Sequence, residues 1–315
     1  MTRPFVMRAL LVMCVTGSSP LVLAVEGGVG RPITGQLVFS NAGIVPPEPG
    51  WVMSLSSIWY EGDLKGSAQV PIGGDLSTGL DLKVSYTVAN FTHIWDTGKG
   101  SWNYASAIGV PVQYADVSVS ITGPRGRTLG TNDQATQFAD MLVTPIAAGY
   151  HFDAVNHISF SLPIYVPTGA YDVNRLVNGG QNTYTFMPTV AFTHLDGKGG
   201  EFTLSSGLEF YTENDKTDYQ NGDLFTFDAL WTHGFGNGWA AGLVGGYIQQ
   251  INDDSGEGAS SGFRGRSVGA GPVVGWTGKF ADAQANISLR WVPEFDTKNR
   301  PEGNGVALNM TLAFF

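Results

Sequence analysis

The chain has 315 residues, 43 of them Gly, with 14% charged residues and a net charge of −10. That is about half the usual charged share of about 25% and about twice the usual Gly share of about 7%, yet 12% aromatic and 43% hydrophobic residues exclude a disordered chain. No Lys/Arg cluster follows a phosphate backbone, which excludes nucleic acid as a partner, and past the N-terminus no run of about 18 apolar residues could cross a membrane as a helix.

Arg3 and Arg8 form a positive n-region, Ala9 to Val15 a short apolar core, and Val22-Leu23-Ala24 a small-residue cleavage position. Residues 1–24 are therefore expected to be a secretory signal peptide. Cys14, preceded by the bulky Met13, lies inside that core. The mature chain would then hold no cysteine and gain no disulfide. Without Arg3 and Arg8, 15 basic residues face 27 acidic ones. Residues 25–50 are rich in Gly and Pro and show little period, which predicts an irregular segment, either a plug or a periplasmic extension.

From Trp51 the apolar period is two, not 3.6, and an α/β fold is disfavoured. Ile158, Phe160, Leu162, Ile164 and Val166 alternate with Ser159, Ser161, Pro163 and Tyr165; similar alternation runs through 184–193, 202–210 and 283–291. Such strands have one apolar and one polar face. About twelve segments are predicted, near 51–60, 80–95, 101–121, 138–152, 157–167, 183–195, 201–213, 223–234, 239–251, 265–278, 282–292 and 303–314. Residues 80–95 and 101–121 change phase partway, which predicts a bulge in each.

Composition leaves a soluble sandwich and a membrane barrel both open, and the connectors decide between them. Even-numbered strands end in tight turns such as Asp196-Gly197-Lys198-Gly199-Gly200, and odd ones in longer polar loops such as Thr168–Asn182. Sorting by parity is a property of outer-membrane barrels, with short periplasmic turns and longer outer loops. Trp51, Trp95, Trp102, Trp231, Trp239 and Trp276 fall beside the short turns, and Trp59 and Trp291 at the opposite ends, as two interfacial girdles require. The fold class is therefore all-β: a transmembrane antiparallel up-and-down barrel over 51–315. Its last strand ends in Phe314-Phe315, similar to the signal read by the outer-membrane assembly machinery, with the apolar register in phase with Phe314.

The mature chain resembles the family named for the meta-pathway of phenol degradation, outer-membrane transporters of proteobacteria. The matching pieces are Pro46-Pro47-Glu48-Pro49-Gly50, Asp140-Met141-Leu142-Val143-Thr144-Pro145, Val166-Pro167-Thr168-Gly169-Ala170-Tyr171-Asp172, Asn178 to Pro188, and Tyr247 to Asp254. They span most of residues 45–315. The resemblance implies a barrel, uptake of hydrophobic or aromatic molecules and no catalytic residues.

The charges Asp81, Lys83, Glu209, Asp228 and Arg290 fall in what reads as the inward register, because Lys or Arg facing lipid at the midplane costs ~2–4 kcal/mol. They would form an ion-pair network filling the barrel, or line a pore; Glu209 and Asp228, on strands joined by one hairpin, would sit close together. Pro145, Pro163, Pro188 and Pro272 each remove a ladder hydrogen bond, which shapes the wall or opens it sideways to the bilayer, as in fatty-acid channels. His157-Ile158-Ser159 resembles the His-x-Ser pair of lipid A deacylases, but it follows a short turn and faces the lumen, away from the outer leaflet. The acidic loop tips Asn252-Asp253-Asp254 and Glu213-Asn214-Asp215 lack the spacing of a calcium loop and read as solvated. The expected function is passive uptake of small hydrophobic or aromatic compounds. No cofactor and no metal are expected, and outer-membrane lipid and lipopolysaccharide are the surroundings. A barrel enzyme acting on lipid, or a structural or adhesive barrel, is the alternative.

Overall fold

In the computed structural model, residues 30–64, 70–72, 75–77, 79–98, 100–122, 128–259, 261–281 and 283–314 are described. The expected signal peptide, residues 25–29 and Phe315 lie outside them. The chain builds a closed antiparallel barrel of 12 strands: β1 (Gly50–Leu64), β2 (Gly79–Ile94), β3 (Trp102–Thr122), β4 (Met141–His151), β5 (Asn156–Ser161 and Ile164–Val166), β6 (Thr185–Phe186 and Thr189–Leu195), β7 (Glu201–Tyr211), β8 (Leu224–Gly234), β9 (Trp239–Gln250), β10 (Arg266–Phe280), β11 (Ala283–Lys298) and β12 (Glu302–Phe314). Each strand pairs with its chain neighbours, and β1 closes the ring on β12 from Trp51 opposite Phe314 to Asp63 opposite Glu302. A further strand, Thr128–Phe138, pairs with the outer half of β3, while β4 takes the inner half.

Connections at one end span 95–101, 152–155, 196–200, 235–238 and 281–282, and at the other 167–184, 212–223 and 251–265. The exception to the length rule is the last outer connection, residues 299–301. There β11 runs on beyond Trp291 through a bulge opposite Val268/Gly269, and Asn299, in the left-handed region at φ 53°, reverses the chain.

The outer face carries the lipid belt. Trp51, Met53, Leu55 and Trp59 of β1 project outward, as do Phe91, Ile108, Phe160, Phe202, Trp231, Leu243, Leu289 and Met310, all exposed. Trp59 and Trp291 both stand opposite Val306, so they share one height. From Trp51 to Trp59 the strand rises roughly 26 Å at about 3.3 Å per residue, which after tilt suits a membrane's apolar band.

The bulge expected in 80–95 is not there: β2 pairs in unbroken register with both neighbours. The phase change has another cause. Lower in β2 the outward residues, such as Phe91, meet lipid; higher up the strand has left the bilayer, so Asp81, Lys83 and Ser85 face out to water. The apolar residues Leu82 and Val84 then turn to the inside, onto a core of Leu64, Leu80, Ala115, Val117, Val119, Leu176 and Val177. The bulge expected in 101–121 lies on the neighbouring strand instead: β3 pairs in unbroken register with β2, and opposite Ala105 to Ala107 it is β4 that holds the extra residue, at Pro145 and Ile146.

Candidate functional site

The lumen is shared between a cavity and the chain's own N-terminal segment. Residues 30–49 carry neither helix nor strand and run as a strap along the inside of β4–β11, from the long-loop end to the short-turn end, before Gly50 opens β1. A segment with no ladder must satisfy its backbone elsewhere, and the barrel wall supplies the partners.

At the top, the Arg31 guanidinium donates to Asp140 (2.8 Å), to Thr185 Oγ1 (2.8 Å) and to the Thr183 carbonyl, and lies 4.4 Å over the Tyr165 ring. Asp140, with its side chain fully enclosed, also accepts from the Gly169 and Gln181 amides at 2.9 Å each. Three of the sequence pieces that mark the family, around Asp140, Gly169 and Gln181, thus converge on one carboxylate. They fold loop 167–184 over the cavity, where Tyr171, Val177 and Gln181 line its roof. Outside the bilayer, Arg175 of this loop grips Asp133 at 2.6 Å; the hydrogen bond from Arg175 holds the Asp133 carboxyl below its ordinary range.

Midway, two buried charges hold one turn of the strap. Asp228 accepts from the Leu37 amide at 2.6 Å and the Val38 amide at 3.3 Å, while Arg290 donates to the Gly35 carbonyl at 3.1 Å and the Val38 carbonyl at 2.6 Å. Between them the Val38 side chain enters a core of Leu230, Val244, Val273 and Val292, a burial that contributes about 1.5–3 kcal/mol. The turn lies so close to β9 that a Cβ on Gly246 would stand 2.1 Å from the Gly35 nitrogen, and Gly35 itself has a φ of 73°. Nearby Glu294 accepts from Thr34 and Ser267 at 2.5 Å each, from Tyr60 at 2.6 Å and from the Gly303 amide at 3.0 Å. Arg300 donates to the Pro32 carbonyl at 2.9 Å.

At the short-turn end the Glu201 carboxylate accepts from the Asn41 amide (2.8 Å), Ser159 Oγ donates to the Ala42 carbonyl (2.7 Å), and His151 Nε2 donates to the Val45 carbonyl (3.0 Å). His151 Nδ1 lies 2.7 Å from His157 Nδ1. With its ring so engaged, and the Ser159 hydroxyl given to the strap, His157-Ile158-Ser159 is not arranged as a base and nucleophile.

The rest of the lumen is a cavity of about 640 Å³. Its upper half is lined by the apolar and aromatic Ile58, Leu82, Val84, Tyr86, Leu142, Tyr165 and Met187, together with Arg31, Gln181, Glu209, Glu294 and Arg300. Its lower half is hydroxyl-rich, with Ser54, Asn90, Thr92, Ser161, Thr189 and Ser205. Ile33, Leu37 and Phe39 of the strap form part of the same wall.

Of the charges singled out from sequence, Glu209, Asp228 and Arg290 are inside, each 1% exposed. Asp81 and Lys83 are outside: Lys83 pairs with Glu61 at 3.2 Å, with side chains 60% and 71% exposed. Placing them inward assumes one polar face throughout, and that face changes sides where β2 leaves the bilayer. Glu209 and Asp228 are not neighbours either. Asp228 stands opposite Ser205, four residues and roughly 13 Å along β7 from Glu209. Glu209 accepts instead from the Tyr211 hydroxyl. Of the prolines, three make one row. Ala147 stands opposite Ser161 and Ser161 opposite Thr189, so Pro145, Pro163 and Pro188 break three adjacent strands at one height. Pro272 lies apart on β10, opposite Leu243.

A family signature described as the MetA-pathway of phenol degradation matches residues 65–310. The chain belongs to this family. No curated protein sequence matches it. Among solved structures, an outer membrane channel from Pseudomonas putida F1 is similar over 86% of this chain and 97% of that one, at 14% identity and a TM-score of 0.65, a likeness of fold. A FadL homologue from Pseudomonas aeruginosa aligns over 92% and 98% at 9% identity and a TM-score of 0.44. The β domain of the Bordetella autotransporter BrkA aligns over 84% and 99% at 11% identity and a TM-score of 0.47. The chain is an outer-membrane barrel.

Sequence reasoning missed Arg31, Asp140, Glu201, Glu294 and Arg300. Arg31 lies in the segment without a period, and Asp140 was visible only as a piece of the family pattern. Glu201 opens β7, Glu294 lies past the expected end of β11 and Arg300 in a connection, all places where charge is ordinarily read as exposed.

Proposed function

We propose that this barrel is a passive outer-membrane channel for small hydrophobic or aromatic compounds. The observation that carries the reading is the 640 Å³ lumen cavity, with Ile58, Leu82, Val84, Tyr86 and Tyr165 along its outer half, inside a barrel whose family is described by phenol degradation. The strap acts as a plug that narrows the lumen on one side and leaves a passage on the other. No energy-coupling element is visible among the described residues, so flux follows the gradient. The barrel reaches the membrane through the outer-membrane assembly machinery.

The exit is sideways. A hydrophobic solute descending from the aromatic half meets the hydroxyl-rich half, where it would trade favourable contacts for polar ones. At that boundary the wall is weakest: Pro145, Pro163 and Pro188 contribute no donor, and Ser161, Pro163 and Met187 line the cavity there. A few backbone bonds still cross the row, from Leu162 N to Ile146 O (3.3 Å), Met187 N to Pro163 O (2.9 Å) and Leu208 N to Pro188 O (3.1 Å).

Uptake by vesicles with a lipopolysaccharide outer leaflet, measured above protein-free vesicles, tests the channel. Phenol is expected to enter faster than a sugar; equal rates would sink the substrate class. An enzymatic reading has no support in the site, because the Ser159 hydroxyl bonds the strap and the His157 ring bonds His151, which holds the strap in turn.

A further inference from the structure

The charges buried inside the barrel are unequal. Asp140, Glu201, Glu209, Asp228 and Glu294 are buried with Arg290 and Arg300, and Arg31 joins them with a side chain 9% exposed. Five acids thus face three guanidinium groups. Those guanidinium groups are also committed: Arg31 to Asp140, Arg290 to the Gly35 and Val38 carbonyls, and Arg300 to the Pro32 carbonyl. Of these charges, Arg31, Arg300, Glu209 and Glu294 reach the cavity wall, so the wall offers an anion no surplus of positive charge. On the outward face of the wall above the bilayer, Glu61, Asp63, Asp81, Asp116 and Glu302 surround Lys83.

A carboxylate leaving water for an apolar cavity loses a hydration energy that only a cation or a set of donors can replace. An uncharged ring of the same size loses little, and gains apolar contact with Leu82, Val84 and Tyr86. We infer that the channel admits uncharged aromatic molecules and refuses aromatic carboxylates, because its cavity is mainly apolar and the two guanidinium groups on its wall are already committed. This rests on the channel reading above and narrows its substrate class.

Benzamide and benzoate share a ring and a size and differ in charge. In vesicles with a lipopolysaccharide outer leaflet at pH 7.5, corrected for protein-free vesicles, benzamide is expected to enter at least about tenfold faster than benzoate. Equal rates would overturn the inference and leave the channel standing. If neither enters above the protein-free rate, the channel reading itself fails and takes the inference with it. Asn90→Lys places a cation on the cavity wall without touching the strap, and should raise the benzoate-to-benzamide ratio about tenfold. An unchanged ratio in a variant that still passes benzamide would show that charge is not the discriminator. The wild-type comparison decides the matter if that variant does not fold.

Discussion

The two sides of the barrel use the same strand geometry for different ends. From β7 to β11 the inner face holds Glu201, Asp228, Arg290 and Glu294, each spent on the strap's backbone or its Thr34 hydroxyl. From β1 to β6 the inner face presents aliphatic, aromatic and hydroxyl side chains to an open cavity, and three of its strands are broken in a row. Buried charge appears where backbone without a ladder has to be satisfied; unsatisfied space appears where a guest has to pass. One side is a socket and the other a passage.

That contrast can be broken most severely at Arg290. Arg290→Met leaves Asp228 and Glu201 buried without their cation and two strap carbonyls without a donor. A loss of about 3–5 kcal/mol is expected, read as a lower temperature of heat-modified gel migration. The cavity-side Val88→Ala should lose about 1 kcal/mol or less, because its side chain already faces space. Equal losses would erase the distinction between the two sides.

Gly246→Ala attacks the socket without removing a charge. A methyl 2.1 Å from the Gly35 nitrogen must push the strap off β9, so single-channel conductance should rise severalfold while the barrel still migrates as folded. An unchanged conductance would mean that the strap does not limit flow. On the other side, Pro163→Val with Pro188→Val returns two donors to the wall. The gain in stability is expected to be about 1 kcal/mol per bond, with phenol uptake falling severalfold; uptake that holds steady would place the exit elsewhere.

The smallest effect concerns the roof of the passage. The Asp133 carboxyl titrates below its ordinary range when folded, first because Arg175 donates to it. A depressed carboxyl contributes its stability above the unfolded value near 4 and loses it as pH falls through the folded one. Loop 167–184 should therefore become susceptible to protease only in strongly acidic medium, and Asp133→Asn should make it so at neutral pH. A loop equally protected in that variant would show that Asp140 alone holds the roof.

The barrel itself was legible because lipid imposes a pattern on every strand: alternation, aromatic ends and turn lengths sorted by parity. Twelve strands were placed on that basis, though β11 runs six residues past its expected end and the strand Thr128–Phe138 was not among the expected segments. The lumen was legible only in part. Glu209, Asp228 and Arg290 lie at bilayer depth, where a charge has one side to choose, and their inward placement followed. Asp81 and Lys83 lie above it, where water covers the outside and the rule lapses. The strap carries no period at all, so its path depends on partners 100 to 260 residues away, such as Asp140 for Arg31 and Glu294 for Thr34. Separation of that kind leaves no local trace.

The strap also bears on how such a barrel comes to be. It precedes β1 in the chain, and β1 is one half of the seam that closes the ring. A ring closed empty would bury Glu201, Asp228, Arg290 and Glu294 with nothing to bind and would then have to take in a ladderless segment through its mouth. Strands wrapped around the segment meet no such barrier. Residues 30–49 serve as a mandrel, and the wall is shaped on them.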